Sequence, residues 1–149
     1  MNARRDDVET IEGIVKALYD VISGPAGPRD WERERTLLHP QARLMPTRPG
    51  PDGGGLVDVF DCDGYIKSRT PFFFKDDFYE VEMAYRVDRF GNIAQVWSQY
   101  EGRRAPDSDP LFRGINSIQL FHDGDRWWVM SVLWDNEREG SPLPEEFAR

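Results

Sequence analysis

The chain has a single cysteine, Cys62, and only two histidines, His39 and His122. One cysteine excludes an internal disulfide, and so few soft ligands leave a structural zinc site without its four donors. A reducing cytoplasm is the compartment this usage predicts. Long hydrophobic runs are missing as well. The longest, Trp127 to Trp134, spans eight residues and is too short to cross a bilayer, and the opening MNARRDDVETIEG lacks the apolar core of a signal peptide. Positive charge is scarce: 19 Lys and Arg stand against 27 Asp and Glu, a net charge of −8. Such a chain repels nucleic-acid phosphates and anionic membranes, so neither is expected as a partner. Its acids are spread along the sequence and read as a solvated surface.

Cofactor signatures are lacking too. DCDG at 61–64 has its glycine at the fourth position, where a calcium loop needs it at the sixth, and no closing glutamate follows. Gly53 to Gly55 precede no Gly-Lys-Ser or Gly-Lys-Thr, so they read as a flexible loop and not a phosphate cradle. No metal and no cofactor is expected.

What is present fits one domain over residues 1–149, with a polar tail at 136–149 expected to be partly disordered. Val8, Ile11, Val15, Leu18 and Ile22 recur at helical spacing, and Gly24-Pro25 closes the segment. A shorter helix is predicted from Trp31 to Leu38, capped by Asp30 and stopped at His39-Pro40. Residues 46–55 have seven Gly or Pro in ten positions and predict a loop. A third helix is expected from Val59 to Thr70, capped by Asp58 and ended or kinked at Pro71.

From Phe78 the period changes to two. A turn at Gly91-Asn92 predicts a hairpin that places Val81, Met83, Tyr85 and Val87 beside Ala94, Val96, Ser98 and Tyr100 on an inner face. Glu80, Glu82, Arg86, Gln99 and Glu101 then fall on a wet outer face, where facing Glu82 and Glu101 read as rim residues near Arg86 or Arg103. A second hairpin across Asp123-Gly124 puts Asn116, Ile118 and Leu120 with Trp127, Val129, Ser131, Leu133 and Asp135. A bulge would invert one strand. Helices followed by antiparallel strands imply an α+β domain with helices on one face of a curved sheet.

The segments DWERERTLLHPQARLMP, FYEVEMAYRVDRFGNIAQVWSQYEGR and FRGINSIQLFHDGDRWWVMSVLW, with this element order, resemble the nuclear transport factor 2 superfamily, including polyketide-cyclase-like and ketosteroid-isomerase-like proteins. The resemblance covers nearly the whole chain and rests on apolar positions and turns. It implies a cone-shaped α+β fold, a strongly bent and mostly antiparallel sheet around N-terminal helices, with a pocket at the open end. It also implies a homodimer through the outer sheet face, whose centre would be Trp97, Trp128, Met130, Val132 and Trp134. Aromatic and Met enrichment is typical of such centres. Alternatively, Trp134 turns into the pocket.

The resemblance implies a strand carboxylate as base with hydroxyl or acid donors around an oxyanion, and Asp135, predicted to point inward, is the candidate catalytic group. Trp31, Tyr65, Tyr85, Ser98, Tyr100, Asn116 and Ser131 are the candidate pocket lining. A lone carboxylate in an apolar cavity has its pKa raised toward neutrality; the plainer reading has Asp135 bonding the next loop. His39 and His122 are not paired with an acid by the sequence. Three functions follow from the resemblance: cofactor-free isomerisation, dehydration or cyclisation of a hydrophobic or aromatic small molecule; binding of such a molecule without turnover; or an accessory subunit comparable to the small subunits of aromatic-ring dioxygenases.

Overall fold

The computed structural model describes residues 2–145. The N-terminal apolar stripe forms two helices instead of one, α1 (Arg5–Val8) and α2 (Ile11–Ile22). Thr10 causes the break: its backbone is extended, and its hydroxyl accepts the Gly13 amide at 2.9 Å, capping α2. Gly13 makes the corner possible, because a Cβ there would stand 2.4 Å from the Asp6 carbonyl oxygen. Helix α3 (Trp31–Leu37) begins as expected, with the Asp30 carboxylate accepting from the Arg33 amide. Arg33 then reaches back to Asp7 with two bonds of 2.8 Å, tying α3 to α1.

Strand β1 (Leu38–Pro49) follows at once and takes in residues 46–49 of the expected loop, which shrinks to the turn before β2 (Gly55–Val57). Helix α4 (Cys62–Lys75) is shifted from its expected span. Asp61, not Asp58, caps it by accepting the Gly64 amide, and it continues through Pro71. Pro71 removes one amide donor from the helix, but continuation lets Phe73 bury itself and Phe72 meet Phe73 and Phe78 edge-on. Aromatic packing outweighs the helix-breaking residue.

The four remaining strands are β3 (Tyr79–Phe90), β4 (Ile93–Arg103), β5 (Pro110–His122) and β6 (Trp127–Asn136). They extend a six-stranded sheet in the order β2-β1-β6-β5-β4-β3, antiparallel except for β1 beside β6. Helix α2 lies on its inner face, where Ile14 meets a core that includes Val96, Ile118, Leu120 and Val129. This is an α+β architecture. No helix among the described residues is long and apolar enough to cross a membrane.

Two bulges set which side chains face the core. The β3–β4 pairing runs as expected from Phe90↔Ile93 to Ala84↔Gln99, then shifts, so that Glu82 pairs with Tyr100 and Glu80 with Gly102. Met83 is the extra residue. Strand alternation therefore reverses before it, and Glu80 and Glu82 turn inward with Ser98 and Tyr100. The expected Glu82–Glu101 pair does not form; Glu101 bonds Arg103 at 2.7 Å on the outer face.

A second shift lies between Gln119 and Leu120 in the β5–β6 pairing, with Met130 the extra residue on β6. Trp127 and Val129 face the core, but beyond the bulge Val132, Trp134 and Asn136 face inward and Ser131, Leu133 and Asp135 face outward. Both faces of the tryptophan-rich strand are thereby explained by one inserted residue. Past β6, the Glu137 carboxylate accepts from Arg113 and from the Leu143 amide. Residues 146–149 of the expected disordered tail lie outside the described residues.

Candidate functional site

Between the helices and the sheet lies a cavity of about 350 Å³. Helix α2 contributes Leu18, Tyr19 and Ile22, and α4 contributes Tyr65, Arg69, Phe72 and Phe73. The far side is closed by Phe78, just before β3, and by Tyr100, Phe112, Val132 and Trp134 of the sheet. Tyr65 meets Trp134 edge-on at 6.2 Å across this space, a geometry that aromatic quadrupoles favour.

Two carboxyl groups enter these apolar walls. Glu34 comes from α3, is 2% exposed, and its Oε2 has no hydrogen-bond partner. Glu80 comes from β3, turned inward by the Met83 bulge, and among the described residues its carboxylate receives one long 3.5 Å contact, from Asn116 Nδ2. It keeps some accessible surface because it borders the cavity, yet lies deep in the protein.

Burial pushes the Glu34 carboxyl up to about 8, and the nearby charge of Glu80 adds to the shift. Burial likewise brings Glu80 up to about 7, with the Asn116 contact opposing it. Both carboxyls are thus raised toward neutral pH, and the charge of Glu80 favours the proton on Glu34. Tyr65 and Tyr100 are both raised by burial and remain hydroxyl donors. Tyr100 Oη donates to Asn136 Oδ1 at 2.6 Å. It fits there because residue 114 is glycine: a Cβ on Gly114 would lie 2.3 Å from that Oη and equally close to the Asp135 carbonyl oxygen.

Of the residues expected to line a pocket, Tyr65, Tyr100 and Asn116 are brought together here. Trp31 stands behind the wall, against Tyr65 and Phe73. Ser98 is fully buried and occupied by Tyr19 and Glu82. Tyr85 is 51% exposed and borders a separate groove between α2 and β3. Ser131 and Asp135 point away because of the Met130 bulge; Asp135 Oδ1 accepts from Arg138 at 2.8 Å and from the Asn136 amide. The expected catalytic carboxylate is thus outside the cavity, and its neighbour Asn136 is inside.

Of the expected interface residues, Val132 and Trp134 line the cavity, Trp134 taking the alternative orientation. Trp97 and Trp128 stay on the outer face, and Met130 occupies the bulge. Trp128 lies beneath the Arg126 guanidinium, 3.4 Å from its ring centre, and donates to Asp123. His39 rests against Trp128, and His122 against Trp127; neither lines the cavity. Among the described residues no three His, Cys, Asp or Glu side chains are grouped to hold a metal ion.

Neither cavity carboxyl is among the site groups expected from the sequence. Glu34 had a legible signal, since Trp31, Glu34 and Leu37 share one helical face by spacing of three. Glu80 shares the alternation of buried Phe78, but only the bulge shows that this phase points inward.

No family model and no curated protein sequence matches the chain. Solved structures do. A cystatin-like-fold protein of unknown function from Nostoc punctiforme superposes with a TM-score of 0.65 at 9% identity, covering 92% of this chain and 96% of that one. A nuclear transport factor 2-like protein of unknown function from Silicibacter pomeroyi gives 0.55 at 13% identity, covering 87% and 94%. The chain has the nuclear transport factor 2-like fold. A candidate ketosteroid isomerase from Shewanella frigidimarina gives 0.57 at 14% identity over 85% of this chain and 96% of that one. Likeness at these identities concerns the fold; one fold hosts many functions.

Proposed function

We propose that the chain is a cofactor-free acid–base enzyme, an isomerase, dehydratase or cyclase in reaction type, acting on a hydrophobic or aromatic small molecule. One observation carries this reading: Glu34 and Glu80 enter one largely apolar cavity, where burial raises both carboxyls and the charge of Glu80 raises Glu34 further. Environments that push paired titratable groups apart are the signature of an acid and a base. Ionised Glu80 takes a proton from a carbon beside a substrate carbonyl, and the electron pair of that C–H bond moves into an enolate. Protonated Glu34 donates a hydrogen bond to the developing oxyanion, and the Glu80 carboxylic acid returns its proton to the same or another carbon. Aromatic walls exclude water and strengthen both interactions. The open cavity supports a ligand over the accessory-subunit reading.

The outer-face residues Trp97, Trp128 and Met130, with 42%-exposed Leu133 beside them, remain the surface through which we place a homodimer. The single-domain organisation and cytoplasmic location suggested by composition belong to the same reading.

Deuterium exchange tests it. The bicyclic aromatic ketone tetralone, incubated in heavy water with the protein, is expected to exchange its acidic C–H protons faster than in buffer, as followed by NMR. Glu80→Gln should reduce the enhancement by roughly 100-fold or more, the usual contribution of a positioned base. Enhanced exchange that survives Glu80→Gln would refute Glu80 as the base.

A further inference from the structure

The groups behind Glu80 form a hydrogen-bonded chain whose direction can be worked out from donor counting. Ser98 Oγ donates to Glu82 Oε2. A serine hydroxyl has one hydrogen, so the 2.6 Å contact between Ser98 Oγ and Tyr19 Oη must carry the tyrosine hydrogen. Tyr19 Oη can then only accept from Asn116, which presents Nδ2 at 3.1 Å. The same Nδ2 has a second hydrogen and faces Glu80 Oε1. Each step follows from the one before.

We propose that Glu82 is a positioning residue that sets, through Ser98 and Tyr19, which end of the Asn116 amide faces Glu80. This rests on the reading of Glu80 as base. With Glu82 ionised, the amide offers N–H to the Glu80 carboxylate and favours its charged form. Protonated Glu82 instead donates to Ser98, Ser98 donates to Tyr19, and Tyr19 donates to Asn116 Oδ1. The amide turns over, its oxygen faces Glu80, and only a protonated Glu80 can bond to it. No atom moves far.

This chain is the hydrogen-bonded link between the two acids, which also border one groove. Glu82 and Glu80 both border the groove between α2 and β3, a space of about 400 Å³ where Glu12, Lys16, Tyr19 and Asp20 of α2 and Tyr85 of β3 also lie. On the cavity side Glu80 has Glu34 of α3, Tyr65 and Arg69 of α4, and Tyr100 of β4 around it. Burial raises the Glu82 carboxyl above its ordinary range, and the Ser98 hydrogen bond opposes that shift. Ser98 and Tyr19 are both buried, which protects the chain from competition by water.

The test is the pH titration of the Glu80 carboxyl carbon by carbon-13 NMR, assigned with Glu80→Gln. In Ser98→Ala, Tyr19 loses its acceptor, the amide turns, and the proton affinity of Glu80 should rise about tenfold. Ser98→Thr keeps the hydroxyl and should restore the original curve. Glu82→Leu is the second variant and separates the idea from simple charge effects. Removing a nearby negative charge lowers the proton affinity of Glu80 by Coulomb's law, whereas reversal of the chain raises it. A rise in both variants supports positioning. An unmoved curve in Ser98→Ala, or a fall in Glu82→Leu, overturns it. Titration of Glu80 in the ordinary glutamate range in the unmutated protein would remove the base reading itself; a raised curve indifferent to both variants removes only the chain.

Discussion

Glu34 on α3 and Glu80 on β3 enter one cavity from opposite layers of the fold, and the charge on Glu80 adds to burial in holding a proton on Glu34. Neither group has a cation as a salt-bridge partner among the described residues, so neutralisation by protonation is the route open to them.

Stability should therefore depend on pH in a defined direction. The folded pKa of Glu34, about 8, lies above the 4.5 of an unperturbed glutamate, so the folded state binds the proton more tightly. Its contribution is complete below pH 4.5 and is lost as pH rises through 8. Glu34→Gln, which cannot ionise, should leave stability near pH 5 little changed and raise it near pH 9 by on the order of 2–4 kcal/mol. Urea unfolding at the two pH values checks this; equal effects at both would contradict it.

The Asp7–Arg33 pair is the opposite electrostatic case. The Arg33 hydrogen bonds, followed by its charge, hold the Asp7 carboxyl below its usual range against the opposing cost of burial. Arg33→Met should cost about 3 kcal/mol at pH 7, because it strands a buried carboxylate. The loss should shrink as pH falls and Asp7 protonates. Thermal unfolding at pH 7 and pH 3 measures it.

Much of the fold was legible in the sequence. Asp30 caps its helix, the Gly91-Asn92 turn pairs its strands, and apolar periodicity places Val15 and Val96 in the core. The cavity's chemistry was less so, because an inserted residue costs little locally yet reverses every side chain beyond it. Met83 turned Glu80 inward and Met130 turned Asp135 outward, and neither methionine differs in composition from an ordinary strand residue. Helix boundaries depend on other forces. At Thr10 a cap broke a continuous apolar stripe, and at Pro71 packing of Phe72 and Phe73 carried the helix past a residue that usually ends one.

Gly114 should resist substitution. An added Cβ meets both the Asp135 carbonyl and Tyr100 Oη at 2.3 Å, and the backbone atom cannot rotate away. Gly114→Ala should destabilise the protein by roughly 1–3 kcal/mol through overpacking. It should also displace Tyr100 from Asn136, visible as a changed tyrosine ultraviolet difference spectrum. A fully stable Gly114→Ala with an unchanged spectrum would contradict this packing.

For the outer face the informative variant is Trp128→Glu. A charge at the centre of an apolar interface should convert a homodimer to monomers in multi-angle light scattering at micromolar concentration. If the unmutated protein is dimeric and Trp128→Glu leaves it so, the interface lies elsewhere.

The measurement that bears most directly on the central claim is the carbon-13 titration of the Glu34 and Glu80 carboxyls in the unmutated protein. The account predicts two curves displaced upward, Glu80 near 7 and Glu34 near 8. Because the groups interact, each should also change when the other is replaced by Gln. Two independent curves near 4.5, the value for an unperturbed glutamate, would contradict the acid–base site.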